Sequence, residues 1–580
     1  MKTNTFFRSA LAALLMLAAI ATASAHDFEV DGFFYNKNSD GLSVSVTFKG
    51  DNYNSYSDEY FGSVTISEKV TYSGNTYSVT AIGDEAFRSC SGLTSVSIPN
   101  SITSIGDMAF RGCSGLTSVS IPNSVTSIGY YAFDNCSSLT SVTIPNSVTS
   151  IDYEAFYRTP FYNNMQDGIV YLGRVLYKYK GSMPDNTSIV IKDNTVSISP
   201  KAFFGCGGLT SVTIPDSVTS IGSEAFYDTP FYNDLPDGVV YFGSVLYTFK
   251  GTMPDNTSII IKDGTVSISP KAFCECTGLI SVTIPNSVTS IGPSAFAFCS
   301  SLTSITIPSS VTFIGDNAFS GCLIDWIYYN ATNCLLNDSF NSGWANKKYT
   351  FVVGKNVEKI SGKIASSSIQ SPTTIITQAK KPPIIDQYTF SNGIYSAPLY
   401  VPNGSYIEYC LTDNWTEFTN MIEVTKLTTS IVLNKESINI DLNSTAKLTA
   451  IFYPTDATLR YVYWETDNSS IAAIDQTGHV TGVTSGSTII TATTIDGSNL
   501  KATCKVIVGN SGVDGVDASE VKVIARDGMI NVTGVVPEAR IEVYNVAGMC
   551  IYSGTNHEVP VAQCGIYIVK TQGKATKVAL

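Results

Sequence analysis

The sequence predicts a β-rich multidomain chain: a solenoid of short strands and short helical turns, followed by two small all-β sandwich modules. Three observations carry this. The 580 residues exceed what one hydrophobic core sustains. Residues 79–322 repeat themselves in steps of 23 or 70 residues, the mark of a stacked array. Beyond residue 428 short β-prone runs alternate with turn residues, as in sandwich modules. The expected organisation is a secretory signal at 1–25, an N-terminal β cap at 26–78 and the solenoid with its C-terminal cap at 79–425. A β module at 428–508, a linker at 509–519 and a last β module at 520–580 follow.

The signal segment has Lys2 and Arg8, an uncharged apolar stretch over residues 10–20, and the small-residue site Ala23-Ser24-Ala25. Its apolar stretch is shorter than a membrane span of about 20 residues, so the expected mature chain is exported and lacks a transmembrane segment. Charged residues are only 14%, so Ser, Thr and Asn make up much of the surface. A net charge of −13 argues against nucleic acid, which needs clustered cations. Only His26, His479 and His557 occur, and residues 27–478 contain no histidine. This speaks against enzyme activity and against a cofactor or catalytic metal.

One copy of the repeat runs Leu93-Thr94-Ser95-Val96-Ser97-Ile98-Pro99-Asn100-Ser101-Ile102-Thr103-Ser104-Ile105-Gly106, then Ala109-Phe110 to Cys113. Leu116, Leu139, Leu209, Leu279 and Leu302 open further copies. Alternation along a strand turns Val96 and Ile98 inward; Ile102 and Ile105 return to the core, and Phe110 fills the interior from a short helical turn. No copy buries these faces alone, so the copies must stack. Cys90, Cys113, Cys136, Cys206, Cys276, Cys299 and Cys322 recur in register among 13 cysteines. A buried, reduced ladder, some disulfides between layers, or a zinc site are the three readings of that recurrence.

The pattern L-x-x-V-x-I-P-x-S-V-T-S-I-G-x-x-A-F-x-x-C resembles the repeat of BspA-type leucine-rich repeat surface proteins of Gram-negative anaerobes. The resemblance implies a leucine-rich repeat solenoid, displayed or secreted, that acts as an adhesin toward host or bacterial surface macromolecules.

Two paired insertions occupy the steps of 70. Thr159-Pro160-Phe161-Tyr162-Asn163 is echoed by Thr229-Pro230-Phe231-Tyr232-Asn233, and each is followed by two β-prone runs around Gly173-Arg174 or Gly243-Ser244. Gly at the first of two turn positions fits a hairpin. The insertions are rich in rings, notably Tyr162, Tyr171, Tyr177, Tyr232, Tyr241 and Tyr247. Either these rings pack the hairpins onto the solenoid, or they form two equivalent ligand patches.

Outward strand positions carry Ser95/Ser97, Ser118/Ser120, Ser141/Thr143, Ser211/Thr213, Ser281/Thr283 and Ser304/Thr306. They form a nearly uncharged hydroxyl ribbon, read either as a solubilising β surface or as a broad docking face. After Cys322 the pattern degenerates; residues 382–420 read as a last divergent copy with a closing helix over 405–418 around Trp415.

In the 428–508 module, Val462-Tyr463-Trp464-Glu465-Thr466 and Gly478-His479-Val480-Thr481-Gly482-Val483 resemble the bacterial immunoglobulin-like group 2 domain. That implies a spacer that projects a binding domain, with His479 at a loop edge. The run Ile541-Glu542-Val543-Tyr544-Asn545, Gly548 and Gly565-Ile566-Tyr567-Ile568-Val569-Lys570 is similar to the C-terminal sorting domain of type IX secretion substrates. The functional expectation is therefore a secreted or cell-surface adhesin-like protein with host extracellular proteins or surface glycans as partners. A non-adhesive, self-associating envelope protein and a glycan-binding module are the alternatives.

Overall fold

A computed structural model describes residues 26–38, 40–49, 59–336, 339–340, 349–364, 372–386, 389–390, 394–509, 522–526, 528–533, 539–561, 565–571 and 574–579. The signal segment lies outside them, as does all but the first residue of the 509–519 linker.

Three interlayer hydrogen-bond systems hold the solenoid together. The first is the ribbon, where Ser118–Ser120 pairs in parallel with Ser141–Thr143. The second is a sheet of two-residue strands, with Ser104–Ile105, Ser127–Ile128 and Ser150–Ile151 in parallel register. The third runs through the Ala-Phe segment: Phe87 N donates to Ala109 O, Phe110 N to Ala132 O and Phe133 N to Ala155 O. This segment is a chain of turns rather than the expected helical turn. Met108, Tyr131 and Glu154 adopt φ of 53°, 51° and 54°, which breaks any helix and aims the amides at the next layer instead.

The interior is a column of stacked rings. Phe87, Phe110, Phe133 and Phe156 lie 4.9, 5.1 and 5.3 Å apart with nearly parallel planes. Beside the rings, the thiols of Cys113, Cys136, Cys299 and Cys322 donate to the carbonyls of Phe87, Phe110, Phe273 and Phe296 at 3.0–3.1 Å. A thiol satisfied in this way is a small core side chain rather than a nucleophile. Burial raises the pKa of Cys113 well above its ordinary value and pushes Cys276 up to about 12.

Each insertion begins with a one-turn helix, α1 (Pro160–Asn163) or α2 (Pro230–Asn233). Thr159 and Thr229 cap them through their hydroxyls, with Pro at the first helical position, where its missing N–H costs nothing. The hairpin Gly168–Leu172/Val175–Lys180 follows, and its second strand pairs in parallel with Ser197–Ile198. The insertion is thus itself a layer of the solenoid. It also restarts the core: separate apolar clusters occupy residues 28–177, 176–247 and 246–418.

The N-terminal cap is an antiparallel sheet of Phe28–Val30, Phe33–Lys37 and Ser43–Thr47, joined in parallel to Asn75–Ile82. At the other end the sequence pattern fades after Cys322 but the stack of layers continues. Trp326–Tyr329, Thr350–Val353, Thr374–Thr377, Leu399–Pro402 and Met421–Val424 continue the ribbon as one six-stranded sheet from Ser304–Ile307. Helix α3 (Tyr406–Leu411) and the fully buried Trp415, which donates to Pro383 O at 2.7 Å, close the last layer.

The immunoglobulin-like module is three small sheets, of two, four and three strands, around Trp464, Ile490, Cys504 and Val506. It does not project the solenoid as a spacer but folds back against it. Tyr328, Val352 and Ile376 of the ribbon share a buried cluster with Val424, Leu459 and Ile495, and Tyr400 and Tyr463 pack against it. The reason is legible in register: the outward column Thr306, Tyr328, Val352, Ile376, Tyr400 turns from hydroxyl to apolar where the module lands. Tyr328 OH donates to Val462 O, and Gln476 N donates to Ser304 Oγ. The last module packs Ile530, Val532, Ile541, Val543, Val559, Tyr567 and Val569 between a three- and a four-stranded sheet.

Candidate binding face

The docked module divides the ribbon in two. Before Ser304 the outward hydroxyls face solvent: Ser118, Ser120, Ser141, Thr143, Ser211 and Thr213 are all exposed. From Ser304, itself buried, the same face is covered. The open part is not one continuous sheet. Its strands pair two by two, as in Thr187–Val190 with Leu209–Thr213 and Thr257–Ile260 with Leu279–Thr283. Helix α1 stands where a ribbon strand would follow Ser141–Thr143, with Phe161 N donating to Leu139 O. A cleft of about 180 Å³ lies where open and covered parts meet, between Ser281, Thr283 and Thr306 on the ribbon and Tyr463, Glu465 and Gln476 on the module.

The six hairpin tyrosines do not form one kind of surface. Tyr177 and Tyr247 are core residues, 3% and 4% exposed. Their hydroxyls accept from Phe156 N and Phe226 N at 3.1 Å, and burial raises both pKa values. As ligand contacts these two are corrected: a ring that fills the gap in the phenylalanine column has no face left for a partner. Tyr171 and Tyr241 are half-buried, with hydroxyls accepting from Lys192 N and Lys262 N; they brace the next layer. Tyr162 and Tyr232 are half-buried on α1 and α2, where they lean edge-on against Tyr177 and Tyr247. They are the two of the six whose hydroxyls brace no backbone amide of a neighbouring layer among the described contacts.

Sequence reading missed a second aromatic surface on the turn side of the solenoid. Tyr130, Tyr131 and Tyr153 lie 4.1–6.1 Å from one another, and Phe204 stacks on Tyr227. Lys201 bridges the groups, 4.9 Å from the Tyr153 ring and 5.1 Å from Phe204. The signal was present in the variable positions flanking each Ala-Phe, which carry Tyr131, Tyr157, Lys201, Phe204 and Tyr227 here.

His479 sits at a loop edge, as the first residue of the strand His479–Gly482. Both Asp475, at 3.4 Å, and the Thr477 hydroxyl, at 2.8 Å, meet its Nδ1. A nucleophile–base–acid relay needs its partners on opposite ring nitrogens, so this trio is a structural knot. Among the described residues no group of three His, Cys, Asp or Glu is placed to hold a metal, and no helix is long and apolar enough to cross a membrane.

A stacked parallel solenoid with an open hydroxyl ribbon and a docked sandwich module defines a repeat-type solenoid protein. The chain belongs to the BspA type leucine rich repeat family, whose model matches in six copies over residues 54–183, 176–248 and 244–372. Residues 428–506 match the bacterial Ig-like domain (group 2). Two uncharacterized proteins of Clostridium acetobutylicum are each 36% identical, over 89 and 91 residues. Those matches cover 15% and 16% of this chain but only 9% and 23% of the relatives. Among solved structures, a leucine-rich repeat protein from Bacteroides ovatus is 21% identical, covering 69% of this chain and 100% of that one at a TM-score of 0.24. A leucine rich cell surface protein from Faecalibacterium prausnitzii is 23% identical, covering 68% and 94% at a TM-score of 0.23. The family suggests a cell-surface protein-interaction module, and both matched families are generally non-enzymatic.

Proposed function

We propose that this protein is an exported, adhesin-like surface protein that binds host extracellular proteins or surface glycans through the part of its solenoid before Ser304. The observation that supports the reading most is the division of the ribbon. One stretch is left open and rich in hydroxyls, while the adjoining stretch is apolar and covered by the immunoglobulin-like module. The docked module thus leaves the hydroxyl-bearing strands as the part of this face that a partner can reach. Tyr162 and Tyr232 supply ring surface beside the open strands, and aromatic side chains dominate binding hot spots. The C-terminal module serves as the export signal in this reading.

The test is capture of the full chain on immobilised matrix glycoproteins and glycans, followed by the double variant Tyr162→Ser/Tyr232→Ser. Loss of about thirtyfold or more in affinity with an unchanged melting temperature supports the hairpin site, since even one central ring is worth about 2 kcal/mol or more. Unchanged affinity moves the contact to Ser118, Ser120, Ser141, Thr143, Ser211 and Thr213. Binding by residues 428–508 alone overturns the solenoid as the binding part.

A further inference from the structure

The turn side of the solenoid holds a charge cluster that the ribbon does not explain. Asp134 has a side chain with no solvent exposure, yet it faces two guanidinium groups. Arg111 Nε donates to its Oδ2 at 3.0 Å, while Arg158 donates from Nε at 3.0 Å and from Nη2 at 2.8 Å. One buried carboxylate needs one cation for charge balance; here it holds two, and the trio carries net positive charge on a chain of −13. Both guanidinium groups remain open to solvent, 33% and 50% exposed. Each also lies over a ring: Arg111 5.4 Å from Tyr131, Arg158 5.2 Å from Tyr157. The carboxylate and the ring fix each fork, and among the described residues Nη2 of Arg111 and Nη1 of Arg158 have no protein partner. A planar, pre-oriented fork with spare N–H groups suits an oxyanion.

The neighbouring acids are already engaged. Glu85 pairs with Arg88 at 2.9 Å, and Glu154 lies 3.9 Å from Lys178. Further along the same side, Lys201 and Lys271 share Glu224, at 3.5 and 2.8 Å, so two cations again meet one carboxylate. Two cations on one carboxylate therefore recur along the stacking axis, with the exposed Asp228 and Glu275 balancing the second group and leaving the net positive charge at Arg111 and Arg158.

We infer that this side of the solenoid, centred on Arg111 and Arg158, binds a linear acidic polysaccharide through its carboxylate- or sulfate-bearing sugars. A linear chain with an anion at regular intervals matches cations repeated along an axis, while the low overall cation content disfavours a nucleic acid. The inference names a partner class for the solenoid as a binding module, on a face separate from the ribbon. Its failure alongside intact capture of matrix proteins leaves the ribbon reading standing.

The test is titration of the full chain with hyaluronan, dextran sulfate, uncharged dextran and polyglutamate at low and physiological salt. Hyaluronan binding assigns the carboxylate, dextran sulfate binding the sulfate. Either, with dextran silent and affinity falling with salt, supports the site. Arg158→Gln should then weaken binding about tenfold, as expected for one charge-assisted pair, and Arg158→Lys should not restore it, because the fork is lost. If the Gln variant fails to fold, phenylglyoxal labelling of the unaltered protein replaces it: the bound polymer should shield Arg158 and leave Arg174 reactive. No binding of either acidic polymer, equal affinity in folded Arg158→Gln, unshielded Arg158, or polyglutamate bound as tightly as the polysaccharides overturns the inference.

Discussion

Phe133→Ala is the sharpest test of the stack. The ring has no solvent exposure and is sandwiched 5.1 Å from Phe110 and 5.3 Å from Phe156, with planes within 5° and 3°. Truncating a buried phenylalanine costs about 3–5 kcal/mol, and losing two stacked neighbours places this site toward the upper end, since each aromatic pair adds about 0.5–1.5 kcal/mol. The perturbation should also be confined. The apolar cluster that contains Phe133 ends at Tyr177, so layers beyond the first insertion should not feel it. Because stacked repeats need not unfold in one step, the assay is native-state hydrogen exchange on the full chain. The amides of Phe110, Phe133 and Gly129, which bond between layers, should lose about 3 kcal/mol or more of protection, while those of Phe273 and Phe296 keep theirs. Phe204→Ala, at a 45% exposed ring, is the control and should cost about 0.5 kcal/mol or less. A loss below about 1 kcal/mol at Phe133, well under the buried-ring range, or an equal loss at Phe296, would refute the layered core as described.

Further expectations are these. Native protein treated with iodoacetamide should be labelled at the exposed Cys550 and spared at Cys113, Cys136, Cys299 and Cys322; after unfolding without reductant most ladder thiols should titrate, and fewer than three free thiols in the chain would refute the ladder. Tyr328→Ser should undock the immunoglobulin-like module, seen as a larger radius of gyration in solution scattering and faster proteolysis around residues 425–428, with the solenoid still folded; an unchanged radius would refute the docking. Desolvation, with help from the carboxylates of Asp84, Asp152 and Asp316, raises the pKa of Asp107 to about 6. The folded chain therefore binds more protons than the unfolded one between about pH 4 and 6, and stability falls as pH rises through that window. Asp107→Asn should flatten this part of the stability curve and be relatively more stable at pH 7 than at pH 4. The side chain is partly exposed, so screening keeps the effect small; an unchanged slope counts against the shift.

The solenoid was legible because its core positions obey one rule. Leu93, Val96, Ile105, Ala109, Phe110 and Cys113 recur every 23 residues, and all are buried in the structure. What stayed hidden departs from that rule for identifiable reasons. Between Ile327, Phe351, Ile375 and Leu399 the spacing is 24 residues, and the Pro-Asn-Ser and Ala-Phe-Cys markers are gone, so those layers read as degenerate. Left-handed backbone at Met108 and Tyr131 has no signature in residue type, so a run of turns looks like a helical turn. Tyr177 and Tyr171 look alike as hairpin rings, yet one plugs the core and the other braces a neighbouring amide; only the register of Val175 and Leu176 with Ser197 and Ile198 separates them. The docking of the immunoglobulin-like module was written in the column Tyr328, Val352, Ile376 and Tyr400, but that column emerges only once the 24-residue spacing is known.

The two insertions have a consequence for how such a chain changes length. Leu176 closes on Ile198 as Leu246 closes on Ile268, and Ser197 and Ser267 reach back to the carbonyls of Thr149 and Thr219 through the same hydroxyl bond. The joint at the start of each 70-residue block is therefore chemically the same as the joint at its end. Unequal recombination between the two DNA copies could delete or add a whole block and leave every remaining contact of the familiar kind. In the short-strand sheet each block contributes three layers, about 14 Å at the usual strand spacing. Reach is thus adjustable in fixed increments without the invention of a new interface, while the caps and the docked module at the far end stay as they are.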